Sequence, residues 1–199
     1  MLFRRLFLLL AVAALARATT VQPPEFPELV REAESIYRGR VTTVQSRRVD
    51  GPGGENLIKT YVTFAVDRAI KGPDLKEIVL EFLGGRVGND TMAVDGMPRF
   101  EVGDREVLFV QKNGMQFCPL VRMMHGRYRI ARDAATGREY VAREDRAPLA
   151  TVGEVAKPMS EHAAATIASA SIASALSPAD FETEILRELQ RTVRPANPR

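Results

Sequence analysis

The chain has one cysteine, no tryptophan and only two histidines in 199 residues. A lone Cys118 excludes a disulfide framework within the chain, so buried apolar surface must hold the fold. Its setting, Phe117-Cys118-Pro119-Leu120, suits a buried thiol that packs as a small hydrophobe rather than a nucleophile. Cys118 with His125 offers two metal ligands, where tetrahedral zinc uses four protein groups or three and a water. His125 and His162 read as structural or surface residues, because a general base needs an acid and a nucleophile beside it. Gly-x-Ser-x-Gly, His-Glu-x-x-His, a phosphate loop and a dinucleotide fingerprint are all missing. The sequence therefore assigns no catalytic, cofactor-binding or metal residue.

An excess of positive charge is missing too, once the first residues are set apart. Arg4-Arg5, the apolar run Leu6 to Leu15 and Ala16-Arg17-Ala18 have the three parts of a secretory signal. Cleavage is expected after Ala18, by the general secretory route. The apolar run is roughly half the ~20 residues a membrane-crossing helix needs, so no permanent membrane anchor is expected. Of 28 Lys+Arg, three lie in residues 1–18, which hold no acid; 25 remain against 25 Asp+Glu. The high isoelectric point thus belongs largely to the leader, and a nucleic-acid partner is not expected.

Strand signals dominate what is present. Pro27 to Glu34 predicts a short helix with Pro in its first turn. Ile36 to Val44 is rich in β-branched residues, and Gly39 within it predicts a bulge or a close backbone approach. After the loop Asp50 to Gly54, the residues Ile58, Thr60, Val62, Phe64 and Val66 alternate with mostly polar ones, the clearest strand in the chain. Lys71 to Asp74 turns the chain into a second alternating strand, Ile78, Leu80 and Phe82. Residues 86–98 predict a long loop, and Val107 to Val110 a fully buried strand. Asn113-Gly114 predicts a hairpin onto Phe117–Val121, and residues 128–131 and 139–141 a further hairpin around Asp133 to Gly137. Gly72, Gly84, Gly85 and Gly103 read as turn formers. Residues 143–177 are polar, then rich in Ala and Ser, and predict a flexible linker. Ser177-Pro178 opens a capped helix with Phe181, Ile185, Leu186 and Leu189 on one face, expected to dock on the strands or a partner.

Several runs resemble a loosely defined group of uncharacterised bacterial exported proteins. They are residues 33–41, Tyr61 to Val66, Ile70-Lys71-Gly72, Leu83-Gly84-Gly85, residues 96–100 and 102–110, Gly126 to Ile130 and Thr136-Gly137-Arg138. The order of strand, Lys-Gly turn, strand and Val-Gly-Asp is, more distantly, similar to netrin-like modules. The resemblance covers residues 27–142 and implies an OB-type barrel. Netrin-like modules include the tissue inhibitors of metalloproteinases, which reach the catalytic zinc through an N-terminal cysteine. Thr19 stands at the expected mature terminus here, so the shared fold would not carry that activity over.

The fold class expected is mainly β: a small antiparallel OB-like β-barrel with a short N-terminal helix, and a C-terminal helix after a flexible linker. The parts are a signal at 1–18, the barrel at 19–142, the linker at 143–177 and the helix at 178–192. Asn89, Asp90 and Asp95 could gather oxygens for calcium, but their spacing is not that of an EF-hand and such residues are common in loops. Arg38, Arg40, Arg47 and Arg48 read as solvated, with a groove-lining role as the alternative. The function expected is a periplasmic or secreted, non-enzymatic module that binds an unknown protein or envelope polymer. Two alternatives stand beside it: an inhibitor of an exported metallopeptidase, and a carboxylate hydrolase. The last would need a pocket holding two acids with displaced pKa values.

Overall fold

A computed structural model of the protein describes residues 22–159 and 169–193. The expected signal at 1–18 and His162 lie outside them. The longest elements are β1 (Ser35–Asp50) and β2 (Asn56–Lys71), joined through the glycine-rich turn that the sequence marks. Both strands run further than their apolar alternation, because each residue added to a hairpin already in register closes ladder bonds. β3 (Glu77–Leu83) pairs with β2, and β6 (Arg105–Val110) pairs with the first residues of β1. β7 (Arg127–Arg132) and β8 (Glu139–Arg143) form the last hairpin. The result is a six-stranded antiparallel sheet in the order β3-β2-β1-β6-β7-β8. A separate small hairpin, β4 (Gly85–Val87) and β5 (Asp90–Met92), occupies part of the expected long loop.

The fold is therefore mainly β, as expected. The outer strands β3 and β8 do not pair with each other among the described residues, so the expected barrel is not closed by strand ladders. The predicted hairpin onto Phe117–Val121 is corrected as well: no strand forms there, only a single bridge between Val110 and Leu120. Pro119 interrupts the run and has no N–H for a ladder. The segment still makes backbone bonds on two sides. Leu83 N–H donates to Phe117 O (2.8 Å), while Gln111 N–H donates to Pro119 O and Val121 N–H to Phe109 O, both 2.9 Å. The Asn113 side chain closes more of the β3 edge. Its Oδ1 accepts from Glu81 N at 3.0 Å and its Nδ2 donates to Val79 O at 2.7 Å. A side-chain amide thus stands in for a neighbouring peptide and blunts an edge that would otherwise invite another strand.

Two apolar clusters lie on opposite sides of the sheet. One gathers Ile36, Val107, Phe109, Tyr128 and Val141 under α1 (Phe26–Glu32), the 3-10 turn Val152–Ala156 and the C-terminal helix. The other gathers Tyr37, Val41, Val62, Phe64, Leu80, Phe82 and Leu108 under Phe100, Cys118 and Leu120. Ile70 shares the parity of Val62 and Phe64 yet sits in the helical cluster. The register between β1 and β2 slips at Arg38/Gly39 and at Ile36/Tyr37, leaving Asp67 and Ile70 without partners. Such bulges re-aim side chains and steepen the twist. At Gly39 the expected close approach is present, since a Cβ there would lie 2.5 Å from Ala65 O.

The C-terminal end differs most from expectation. Residues 143–159 of the expected linker are packed: Leu149 and Val155 are fully buried in the helical cluster. Leu149 N–H donates to Val141 O, Leu176 N–H to Leu149 O and Val141 N–H to Leu176 O, so two passes of chain cover the β8 edge. Apolar residues six apart make no periodic signal, and only the fold supplies their neighbours. After α2 (Ser169–Ser174), α3 (Pro178–Val193) starts on the expected cap, with Ser177 Oγ accepting from Asp180 N at 3.1 Å. Phe181 and Ile185 are fully buried, and Phe181 stacks near Phe26, Tyr128 and Phe109. Glu182, also on α3, is buried and pairs with Arg38 (2.8 Å) and Arg68. The helix is thus part of the core.

Candidate functional site

A cleft with a volume of about 430 Å³ opens where β7 and β8 meet the loop before β6. It is built from neutral residues below and charges above. Ala131, Tyr140 and Ala142 form the lower wall, alternate positions on one face of the β7–β8 hairpin. Arg99, Arg129 and Arg146 stand around it with Glu101 and Asp104.

Beside the cleft lies a buried charge cluster centred on Arg127, which has no exposed surface. Its Nη2 donates to Glu106 Oε1 at 2.6 Å and to Asp104 Oδ2 at 3.1 Å. Nη1 donates to Glu144 Oε1 at 3.1 Å and to Arg99 O at 2.6 Å. The guanidinium also sits 3.9 Å over the Phe100 ring, where the ring quadrupole favours a cation. Arg129 joins in, with Nη1 at 3.6 Å from Asp104 and Nε at 3.4 Å from Glu144. The planar fork of arginine suits several acceptors at once, which lysine would not.

Glu106 is the acid most displaced. Burial pushes its carboxyl up to about 7, against the opposing pull of Arg127 and Arg129. Its Oε2 has no hydrogen-bond partner among the described residues, so one lone-pair face gains nothing for the loss of water. A buried pair of this kind is weak evidence for stability and better evidence for fixed geometry. Its geometric effect here is plain, since Arg127 holds the Arg99 carbonyl and with it the loop.

The opposite rim is held the same way. Arg143, nearly buried, donates from Nη1 to Lys157 O at 2.7 Å and pairs through Nη2 with Asp145 at 2.7 Å. The tight turn after β8 closes with Arg146 N–H on Arg143 O and Arg143 N–H on Ala147 O, both 2.9 Å. It leaves Arg146 at φ 66, a left-handed conformation rare for a residue with a Cβ. Such strain persists where the surroundings over-determine it, and it often marks a functional position. Arg99 and Arg146 are both exposed. Neither takes part in an ion pair among the described residues.

The residues weighed from the sequence lie elsewhere. Cys118 is buried in the second apolar cluster, and burial pushes its thiol up to about 11. His125 is buried on the 3-10 turn Met123–Gly126. Asp90 pairs with Arg48, and no group of three or more His, Cys, Asp or Glu is placed for a metal among the described residues. The basic residues weighed as a groove are separated: Arg38 holds Glu182, while Arg47 donates to Gln45 Oε1 at 2.6 Å and lies 5.2 Å over Tyr61. Arg127, Arg99 and Arg146 carry no local sequence signal of a site. One signal for Glu106 does exist. It shares the inward parity of Leu108 and Val110 on β6, and a charge at an inward position needs a partner. Nothing in the sequence marks Arg146.

Compared with known proteins, the chain matches no family model, no curated sequence and no solved structure.

Proposed function

We propose that the protein is an exported, non-enzymatic β module that binds a protein or an envelope component through the cleft between Arg99 and Arg146. One observation carries the reading: the cleft presents two exposed arginines without ion-pair partners among the described residues, Arg99, whose carbonyl the buried Arg127 holds, and Arg146, whose N–H closes a tight turn on the carbonyl of the buried Arg143. Rigid support of this kind is what a binding site requires of its scaffold. The acids Asp104, Glu106 and Glu144 are all engaged by Arg127. That favours binding over the two-carboxylate chemistry of a hydrolase. Export rests on the sequence pattern of residues 1–18, which reads as a secretory signal. An OB-like closure is part of the proposal, with residues 117–121 filling the gap between β3 and β6. The three backbone bonds of that segment support it.

The test is capture from the producing cell's envelope and culture fluid, read by mass spectrometry, with heat-denatured protein as control. The wild-type protein should enrich a partner that a variant carrying R99E and R146E does not. A zinc peptidase as that partner would favour the inhibitor role. Enrichment indifferent to the two substitutions would refute the cleft as the binding surface, and no enrichment would refute a macromolecular partner.

A further inference from the structure

We infer that the cleft binds one carboxylate carried on a small apolar or aromatic body, with Arg99 and Arg146 clasping the carboxylate and Ala131, Tyr140 and Ala142 receiving the body. The inference rests on the binding reading above and names the ligand class.

Three observations lead there. The cleft has a volume of about 430 Å³, near the lower end of the roughly 300–1,000 Å³ usual for small-molecule sites. It therefore suits a small molecule or a single terminal residue of a chain. Its wall at Ala131, Tyr140 and Ala142 offers apolar contact, with Tyr140 almost wholly buried among Ala142 and Ala175. The ring is thus held before any ligand arrives. Of the lining cations, Arg99 and Arg146 make no ion pair among the described residues; Arg129 is already shared between Asp104 and Glu144.

Charge decides between anions. Four arginines, at 99, 127, 129 and 146, face four acids, at 101, 104, 106 and 144, in the cleft and the cluster beside it. Glu106 is only partly ionised near neutral pH, since burial pushes its carboxyl up to about 7, so the surplus is at most about one positive charge, which suits a monoanion better than a dianion. Glu101 and Asp104 also line the cleft and repel a second negative charge. A carboxylate asks for one compensating charge and offers two oxygens, which the guanidinium fork matches. The left-handed backbone at Arg146 fits this use, because a rigid turn loses little freedom when the ligand binds.

The experiment is a titration of the purified protein followed by amide NMR shifts. The probes are N-acetyl-phenylalanine, its neutral amide, phenyl phosphate, and a short peptide ending in phenylalanine with a free or an amidated terminus. The free acids should bind, with shifts centred on residues 99, 131, 140, 142 and 146. The amides should bind about tenfold or more weaker, as expected on losing a charge-assisted hydrogen bond. Phenyl phosphate should also bind more weakly than the acid. A peptide acid tighter than the small acid marks a chain terminus as the source; the reverse marks a free metabolite. Either supports the carboxylate assignment.

R99Q and R146G should each weaken the acid roughly tenfold. R146G should leave unfolding unchanged or raise its midpoint, because glycine relieves the positive φ. Loss of binding there cannot then be assigned to misfolding. Equal binding of acid and amide, preferential binding of phenyl phosphate, or no binding of any acid up to about 10 mM would overturn the assignment. If carboxylates fail while partner capture stays sensitive to R99E and R146E, only the ligand class falls. If capture is indifferent as well, the binding reading falls with it.

Discussion

Replacing Glu106 by Gln should change how stability depends on pH, in a direction the structure determines. The folded carboxyl is pushed up to about 7 by burial, from an ordinary value of 4.5. Between those values the folded state holds a proton that the unfolded state has released. Folding is therefore favoured by this group at low pH, and that advantage is lost as pH rises from 4.5 through 7. A displacement of that size corresponds to roughly 3 kcal/mol when complete, a large share of the roughly 5–15 kcal/mol that holds a typical domain. The neutral amide of E106Q has no such titration, while Arg127 keeps Asp104 and Glu144. Urea unfolding of both proteins at pH 5 and pH 8 measures the effect. The wild type should lose about 2–3 kcal/mol more than E106Q over that interval. The carboxylates with lowered values, Glu32, Asp133 and Glu154, titrate below the window. Parallel pH profiles for the two proteins would refute the account of Glu106 as a buried acid that resists ionisation.

Other substitutions test the architecture. F181A and L149A should each destabilise by about 2–5 kcal/mol in urea unfolding, since both side chains are fully buried in one cluster; effects under 1 kcal/mol would mean that the C-terminal third does not pack. N113A removes both side-chain bonds to the β3 edge. It should lower stability by about 1–2 kcal/mol and promote self-association visible by light scattering, whereas a monomeric protein of unchanged stability would count against the edge role. Cys118 should resist alkylation at pH 8 until the protein unfolds, because burial pushes its thiol up to about 11. Rapid labelling of the folded protein would contradict its place in the core.

Much of the strand content was legible because alternation is a local property. Val62 and Phe64, or Leu80 and Phe82, declare a buried face to anyone reading every second residue, and they are buried. Gly39 announced its close contact because no other residue fits against Ala65 O. The Ser177-Pro178 cap and the apolar face behind it sufficed for α3. These are statements about one stretch of backbone and its immediate neighbours, and local sterics and periodicity decide them.

The cleft was not legible, and the reason is distance along the chain. Arg127 finds Asp104 and Glu106 more than twenty residues back and Glu144 seventeen residues on. No spacing rule connects such positions. The same holds for Leu149 and Val155, which looked like isolated apolar residues in a linker until the β8 edge gave them neighbours. The amino-acid order by itself determined most of the strands and turns of β1 to β3 and β6 to β8 and the faces they bury, but not the missing strand at 117–121 or the bulge that re-aims Ile70. Only the tertiary structure decided which charges share one buried site, and which two arginines stand beside it without an ion pair among the described residues. Burial and Coulomb attraction act through space, and the sheet order alone brings β6, β7 and β8 side by side.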